Sequence, residues 1–262
     1  MSGSVRRHRR HAPRAFTLVE LLVVIAVVAL LAGLMIPALR SVRQGARASA
    51  CLANIRSLQR GHLAYAESHK GWMADARLPH GGADQGYAES FVDTLMPFLD
   101  GQAAVMRSPL DASPHWPASL GGAGVPVPGS GGRFRRTSYG VNNHLAREFS
   151  AWGALDPSRV TDRLSLIPCP ACTVHTLCMS SEGEFAGADH PHVEVWGEQP
   201  QAAVIASTQV GTAWVGGRPG TADARGNWGF ADGHVASEIF GRLYRDETAN
   251  AFDPMTARTH RP

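Results

Sequence analysis

Residues 14–39 read RAFTLVELLVVIAVVALLAGLMIPAL. The nineteen residues at 21–39 carry no charge, and they follow directly on a single acid, Glu20. A helix rises about 1.5 Å per residue, so this run reaches roughly 28 Å, which is close to the hydrocarbon thickness of a bilayer. The stretch therefore predicts a transmembrane helix at residues 16–39.

Glu20 is unusual in such a helix because a carboxylate is poorly solvated by lipid. An acid at the bilayer centre costs about 2.5–3.5 kcal/mol, and the cost falls toward the interface. The position of Glu20 at the head of the apolar run therefore predicts that this side chain has a cationic partner in the working state of the protein.

A basic leader precedes the helix: residues 1–15 contain five arginines and no acid. A basic leader, Ala15, the run Phe16-Thr17-Leu18-Val19-Glu20 and an apolar helix together resemble the type III signal of type IV prepilins and of the pseudopilins of type II secretion. The resemblance implies that a prepilin peptidase cuts between Ala15 and Phe16 and methylates the new terminus. Ala15 departs from the glycine that the family usually has before the cut.

The same resemblance implies assembly roles for two residues of the helix. Glu20 corresponds to the acid that pairs with the free terminal amine of a neighbouring subunit, and Pro37 to a proline that loosens the helix. A plain signal anchor with a chance glutamate stays open as the alternative. A conventional secretory signal fits less well, because its apolar region spans only about 7–15 residues.

The leader and the helix also predict topology and partners. We expect a single-pass protein of the bacterial inner membrane, with a cytoplasmic amino terminus and a head exported to the periplasm or a surface fibre. Arg40, Arg43 and Arg47 follow the span, so the charge bias across it is modest. Removing the leader changes the formal charge from +3 to −2, so the net positive charge of the chain does not indicate that it binds nucleic acid.

Beyond the span, residues 40–70 predict an amphipathic continuation of the helix that ends at Lys70-Gly71. Its apolar stripe consists of Leu52, Ile55, Leu58, Leu63 and Ala66. Residues 71–262 predict one exported globular head, with a flexible low-complexity loop at about 120–136. Strands are predicted at 173–180, 203–207, 212–215, 228–231 and 234–240. The fold class is α+β: a long amino-terminal helix packed on a small antiparallel sheet, as in pilins.

Several head segments resemble one branch of this family, in which the signal is joined to a domain named for an H-x9-DG motif. The matching segments are 51–55, 108–111, 139–142, 168–182 and 230–235. Two positions depart from the pattern: Ala222 stands where the motif has histidine, and Ser108 where many relatives have cysteine. Asp232-Gly233 also predicts a type I′ hairpin turn, because both of its central residues then need positive φ.

Four cysteines raise the question of a disulfide or a metal. Cys169, Cys172 and Cys178 flank His175 at steps of three. Along an extended strand, His175 and Cys178 lie on opposite faces, which argues against a shared metal. In an exported head we expect a disulfide within the trio, with Cys51 free or buried; inert thiols and a metal site stay open, and the pairing is undetermined.

No catalytic motif stands out: the sequence has no H-E-x-x-H, no G-x-S-x-G and no phosphate-binding loop. We therefore expect no enzyme, no catalytic residue and no cofactor. His190-Pro191-His192 with Asp189 admits a metal, although an exposed loop is the simpler interpretation. Major pseudopilins bind calcium in the head, so the resemblance leaves a calcium site open here, although no EF-hand pattern is present.

The sequence thus predicts a prepilin-like structural subunit of a type II secretion pseudopilus or type IV pilus-like fibre. Its expected partners are prepilin peptidase, other pilin-like subunits, the assembly platform and the membrane. The alternative is a membrane-anchored, surface-displayed binding module that uses the signal only for processing and anchoring.

Overall fold

A computed structural model describes residues 17–78, 90–146 and 161–257. The chain divides into two compact units, residues 1–43 and 44–262. One helix, α1 (Leu18–Ser68), begins in the first unit and ends in the second. It runs without interruption through residues 39 and 40, where the sequence predicts the change from a spanning to an amphipathic segment.

The end of α1 is fixed by two residues with left-handed backbone conformations. Lys70 has φ of 57° and Gly71 has φ of 82°. The Gly71 N–H donates to the carbonyl of Ala66 over 2.7 Å, which is the six-to-one bond of a Schellman motif. The Lys70-Gly71 stop signal therefore acts where the sequence places it.

The second unit contains an antiparallel sheet, which together with α1 confirms the α+β prediction. Its strands are hydrogen-bonded in the order β1-β2-β3-β4. They are β1 (Tyr139–Val141), β2 (Val174–Cys178), β3 (Arg225–Phe230) and β4 (Val235–Ile239). A separate two-stranded ribbon pairs β5 (Tyr244–Asp246) with β6 (Ala249–Asn250).

Short helices connect these strands. The α-helices after α1 are α2 (Phe91–Thr94), α3 (Gln201–Gln209), α4 (Phe240–Leu243) and α5 (Pro254–Ala257). The 3-10 helices are Met96–Leu99, Ala103–Met106, Ala118–Leu120, Asn143–Leu145, Leu164–Leu166, Glu184–Gly187 and Val193–Val195. Residues 121–136 contain neither helix nor strand.

Two predicted strands are wrong. Residues 203–207 lie inside α3, and residues 212–215 form a turn. In α3, Ala202, Ala203 and Ala206 are buried on one face, and alanine is the residue with the highest helix propensity. A short apolar run fits a strand and a buried helix equally well, and here the helix propensity of the three alanines favours the helix.

One face of the sheet is covered by α1. Its buried side is formed by Cys51, Ile55, Leu58, Gln59, Gly61, His62 and Ala66. This confirms the helical spacing of the predicted stripe, although Leu52 and Leu63 are only half-buried. The helix approaches β3 closely at Gly229, where an added Cβ would lie 2.7 Å from Cγ2 of Ile55.

The other face of the sheet packs against α3 and a cluster of large aromatic side chains. Trp196 contacts Phe240, Tyr244 and Phe252 with ring centroids 5.1–5.6 Å apart, all near edge-to-face. Trp228 of β3 joins the cluster through Phe252. The sheet therefore lies between α1 on one side and this aromatic core on the other.

Candidate functional site

The first turn of α1 is closed by two reciprocal hydrogen bonds between Thr17 and Glu20. The Glu20 N–H donates to Oγ1 of Thr17 over 3.2 Å, and the Thr17 N–H donates to Oε2 of Glu20 over 2.8 Å. This is a capping box, whose signature is Ser or Thr followed three residues later by Glu or Gln. The T-x-x-E pattern of Thr17 and Glu20 is a local sequence signal for this cap.

The Glu20 carboxylate keeps one oxygen for another partner. The Thr17 hydroxyl also donates to Oε2, over 2.8 Å, so both Thr17 groups use the same oxygen. Within residues 17–78, 90–146 and 161–257, Oε1 accepts no hydrogen bond and Glu20 forms no ion pair. Thr17 therefore supplies hydrogen bonds to one of the two carboxylate oxygens, and no cation in the described part of the chain pairs with the carboxylate.

The helix that follows Glu20 presents apolar side chains all round. Every side chain at residues 17–47 is exposed, and a window of this helix reaches a mean hydropathy of 2.9. By length and composition α1 is the one helix in the described ranges that could cross a membrane. Such a surface is unstable in water, so these features are consistent with membrane anchoring.

Pro37 lies inside α1, and the helix continues past it. Proline has no N–H, so the carbonyl of Gly33 lacks its usual partner four residues later in the chain. Gly33 also lowers the helix stability of this turn, because glycine is about 1 kcal/mol less favourable than alanine inside a helix. The proline and the glycine together weaken the helix at one turn.

Comparison with known proteins gives one match, and it falls on this segment. Residues 10–36 match the family model for the prokaryotic N-terminal methylation motif. No curated protein and no solved structure matches the chain. The chain therefore carries a prepilin-type signal, which implies processing by prepilin peptidase and assembly with other pilin-like subunits. The predicted cleavage residues, Ala15 and Phe16, lie outside the described residues.

The match ends before the head, so the H-x9-DG resemblance stays a prediction. The Asp232-Gly233 turn connects β3 to β4, but its type differs from the predicted one. Only Gly233 has positive φ, at 95°, and the Phe230 N–H donates to the carbonyl of His234 over 2.9 Å. This is a three-residue hairpin loop with the glycine in the left-handed position, rather than a two-residue type I′ turn.

The tip of this hairpin packs against α1. A Cβ added at Gly233 would lie 2.8 Å from Cδ1 of Leu63. Asp232 is oriented by its own loop, since Oδ1 accepts the His234 N–H over 3.0 Å. Ala222, at the motif's histidine position, is exposed. The D-G pair therefore has a structural role in joining the hairpin to the helix.

Asp111, in the Ser108–Asp111 segment, is the centre of a buried polar network. Its Oδ2 accepts from Nε of Arg135 over 2.7 Å and from the Ser138 hydroxyl over 2.6 Å. The indole N–H of Trp116 donates to the same oxygen over 3.1 Å. The side chains of Asp111 and Arg135 are both fully buried. They therefore form an ion pair shielded from solvent.

Arg135 also holds the end of the glycine-rich segment against the sheet. Its guanidinium donates to the carbonyls of Met179, Ser180 and Ala186. The desolvation of this guanidinium lowers the pKa of Arg135, and the Asp111 carboxylate opposes that shift. Sequence reasoning placed this arginine in a flexible loop, because nothing local distinguishes it from its neighbours Arg133 and Arg136.

The cysteines form two close pairs. Cys169 and Cys172 are joined by a disulfide, with a Cα–Cα distance of 5.3 Å. Cys178, the third member of the predicted trio, instead faces Cys51 of α1, with 3.7 Å between the sulfurs, and both thiols are buried and free. The contact between Cys51 and Cys178 joins residues 127 positions apart, so the sequence pattern alone could not reveal it.

His175 and Cys178 do not lie on opposite faces of β2, contrary to the prediction from strand alternation. Both contact α1: His175 through Gln59 over 2.7 Å, and Cys178 through Cys51. The pairing of β2 with β3 shifts register between Val174 and Thr176, which marks a β-bulge at His175. A bulge interrupts side-chain alternation and so turns His175 toward the helix.

The described residues contain no group of three or more His, Cys, Asp or Glu side chains arranged to hold a metal ion. Asp189 instead accepts the backbone N–H groups of Arg77 and Leu78 and the hydroxyl of Ser90. Nδ1 of His190 donates to Oδ1 of the same carboxylate over 2.9 Å, so Asp189 and His190 belong to a buried structural network. The calcium site that the resemblance leaves open stays a prediction.

A second buried polar cluster lies between α1 and β2. The rings of His62 and His175 meet edge to face, with centroids 4.4 Å apart. Gln59 accepts from His175 and donates to the carbonyl of Phe230 over 2.6 Å. Both ring nitrogens of His62 and Nε2 of His175 are buried and have no hydrogen-bond partner among the residues that the structure describes. Burial lowers the pKa of His62 well below its ordinary value and that of His175 to about 3.

Proposed function

We propose that this chain is a prepilin-like structural subunit that is assembled through its amino-terminal helix into a type II secretion pseudopilus or a type IV pilus-like fibre. Prepilin peptidase removes residues 1–15, and the amine of Phe16 then pairs with Glu20 of a neighbouring copy. In this proposal the chain is the substrate of an enzyme, and its own role is structural.

The observation that carries the proposal is the half-satisfied Glu20 carboxylate at the start of an exposed apolar helix, within a segment that matches the methylation motif. A carboxylate that leaves water requires a counter-charge and hydrogen bonds for all of its lone pairs. Thr17 supplies the hydrogen bonds to Oε2. A terminal ammonium from a second subunit would supply the charge and the partner for Oε1.

The orientation follows from the same proposal. The peptidase of the resembling family acts on the cytoplasmic side, so the leader is cytoplasmic and residues 44–262 are exported. The apolar helices then pack together in the core of the fibre, where their exposed side chains are covered. The heads form its outer surface.

Substitutions at Glu20 and Thr17 separate charge pairing from helix capping. Glu20→Leu removes both the charge and the capping acceptor, and Glu20→Gln keeps the acceptor but removes the charge. Thr17→Val removes the cap and keeps the charge. We expect both Glu20 variants to insert in the membrane and to be absent from sheared or pelleted fibres, whereas Thr17→Val is incorporated.

The measurement is immunoblotting of membrane and fibre fractions from cells that express each variant with its native assembly proteins. Incorporation of Glu20→Gln at the wild-type level would show that the charge is dispensable and would overturn the assigned role. Loss of Thr17→Val and Glu20→Leu from fibres, with normal incorporation of Glu20→Gln, would assign the motif to helix capping instead.

A second candidate function is a surface-displayed binding module that uses the signal only for processing and anchoring. It is favoured by a cleft of about 1060 Å³ in the head, lined by Trp116, Phe134, Arg107 and Arg133 among others. Arg107 stacks over the Trp116 ring, with 4.9 Å between its guanidinium carbon and the ring centroid. Processed protein that fractionates as dispersed monomers, and never with fibres, would favour this candidate.

A further inference from the structure

We propose that Cys51 and Cys178 form a disulfide that covalently joins α1 to the sheet once the head reaches an oxidising compartment. The proposal rests on the proposed function in one respect, because only an exported head meets such conditions. It goes beyond that function because it assigns a modification to the helix–sheet contact of a single subunit.

Geometry is the first support. The two sulfurs are 3.7 Å apart, and a disulfide forms when they approach by about 1.7 Å more, since the S–S bond is about 2.05 Å. Cys51 lies on the buried face of α1, and Cys178 is the last residue of β2. Their exposed fractions are 0% and 2%. The surrounding side chains therefore hold the two sulfurs against each other.

The electrostatic environment favours the thiolate that the reaction needs. The Cys178 thiol donates toward the Cys51 sulfur, and the Tyr139 hydroxyl donates to it over 3.8 Å; these contacts lower the pKa of Cys51. The same contact with Cys51 raises the pKa of Cys178. Cys51 is thus the attacking sulfur and Cys178 the resolving one.

The chemistry is two thiol–disulfide exchange steps with a small-molecule or protein disulfide as oxidant. The Cys51 thiolate attacks one sulfur of the oxidant, whose other sulfur leaves as a thiolate, and a mixed disulfide results. The Cys178 thiol then loses its proton and attacks Sγ of Cys51, which releases the second sulfur of the oxidant. The two cysteines are oxidised, and the oxidant gains two electrons and two protons.

The burial of both sulfurs fixes when this happens. An oxidant cannot reach sulfurs that are enclosed between α1 and β2, so the exchange takes place late in folding, when the two cysteines are already neighbours and α1 does not yet cover them. Once formed, the bond closes a loop of 127 residues, because that is the sequence separation of the two cysteines. It ties the assembly helix to β2, the second strand of the four-stranded sheet.

The test refolds the reduced full-length protein in detergent with oxidised and reduced glutathione as the redox buffer. Free thiols are then alkylated in denaturant, so that buried thiols also react, and the protein is digested without reduction and analysed by mass spectrometry. We expect a peptide that contains Cys51 joined to one that contains Cys178, beside the Cys169–Cys172 disulfide. Alkylated Cys51 and Cys178 in a refolded protein that has the Cys169–Cys172 disulfide would overturn the proposal.

A variant that lacks the other pair supplies the control. In Cys169→Ser/Cys172→Ser, adding a reductant should lower the melting temperature by several degrees, because only the proposed bond remains to be broken. The same variant with Cys51→Ser added should show no such shift. An absent shift in the first variant counts against the proposal. None of these readouts depends on fibre incorporation, so their failure is distinguishable from failure of the proposed function.

Discussion

At the scale of single residues, the head depends on one buried charge pair. Asp111 and Arg135 are fully enclosed, whereas the next residue, Arg136, pairs with Asp93 at the surface, where the side chains are 35% and 43% exposed. Removing one partner of a buried pair leaves an uncompensated charge and costs about 3–5 kcal/mol. An exposed pair contributes only about 0–1 kcal/mol.

We therefore expect Arg135→Met to lower the free energy of unfolding by about 3–5 kcal/mol, and Arg136→Met by less than about 1 kcal/mol. Guanidinium titration of the detergent-solubilised protein, followed by tryptophan fluorescence, measures both. Equal effects in the two variants would show that the Asp111–Arg135 pair is not the stabilising element of this region.

A second prediction at the residue scale concerns Gly233. Alanine there has to adopt φ near 95° and places its Cβ 2.8 Å from Leu63, whereas Gly132 has a similar φ of 92° and no atom within 4 Å of an added Cβ. Gly132→Ala should therefore lower the free energy of unfolding only by the cost of the left-handed backbone conformation, which is about 1 kcal/mol. Gly233→Ala should cost up to about 1 kcal/mol more, because Cδ1 of Leu63 is the free end of a half-buried side chain that has to change rotamer to make room.

Thermal unfolding of the two glycine variants makes the comparison. Adding Leu63→Ala to Gly233→Ala should recover part of the loss, since it removes the side chain that the new Cβ meets. Equal melting temperatures for the two single variants would mean that the hairpin does not press on α1 at this position.

At the scale of elements, the interface between α1 and β2 should be sensitive to acid. His62 and His175 have folded-state pKa values below the ordinary 6.5 of histidine, because burial disfavours their charged forms. Above that pH both are neutral in either state, and stability does not depend on them. Below it the unfolded chain binds protons that the folded chain excludes, so stability falls.

We expect the free energy of unfolding to fall by about 1.4 kcal/mol per pH unit for each histidine below pH 6.5. The contribution of His175 should level off near pH 3, its folded-state pKa. Urea titrations at several pH values measure the free energy of unfolding, and its decrease per pH unit below pH 6.5 should be smaller for His62→Leu than for the wild type. At neutral pH this variant should be no less stable, because it removes two unpartnered ring nitrogens. An unchanged slope would contradict the prediction.

Elements with a periodic pattern could be predicted from the sequence, and those fixed by distant contacts could not. The spacing of apolar residues identified α1, and short strand-like runs identified β2, β4 and the second half of β3. The three-residue strand β1 contains a glycine and has no pattern of its own; it exists because β2 lies beside it. The bulge at His175 arises from pairing with β3, so alternation along β2 assigned that side chain to the wrong face.

The residues of the candidate site also fall into those with a local sequence signal and those without one. Glu20 and Pro37 were found because they are exceptions within a uniform apolar run, which is a local signal. The capping box was equally local, and the T-x-x-E spacing would have revealed it. Arg135, Gln59 and the facing of Cys51 and Cys178 depend on contacts between residues far apart in the chain, for which no local signal exists.

At the scale of the whole molecule, processing changes both the charge and the chemistry of the amino terminus. The precursor has a formal charge of +3, and the chain without residues 1–15 has −2. The proposed cleavage before Phe16 would also create an ammonium group four residues before Glu20. Both changes would act at the end of the apolar helix, where the proposal places a counter-charge for Glu20.

Intact-mass measurement of the protein from its native membrane should therefore give the mass of residues 16–262 plus one methyl group. Ala15→Gly should be processed at least as fast, because glycine is the residue that the family usually has there, and Ala15→Leu should retain the leader because its bulk obstructs the cut. A retained leader leaves Glu20 without its ammonium partner, so Ala15→Leu should also be absent from fibres. A native protein that still begins at Met1, yet is found in fibres, would contradict both the processing and the charge pairing.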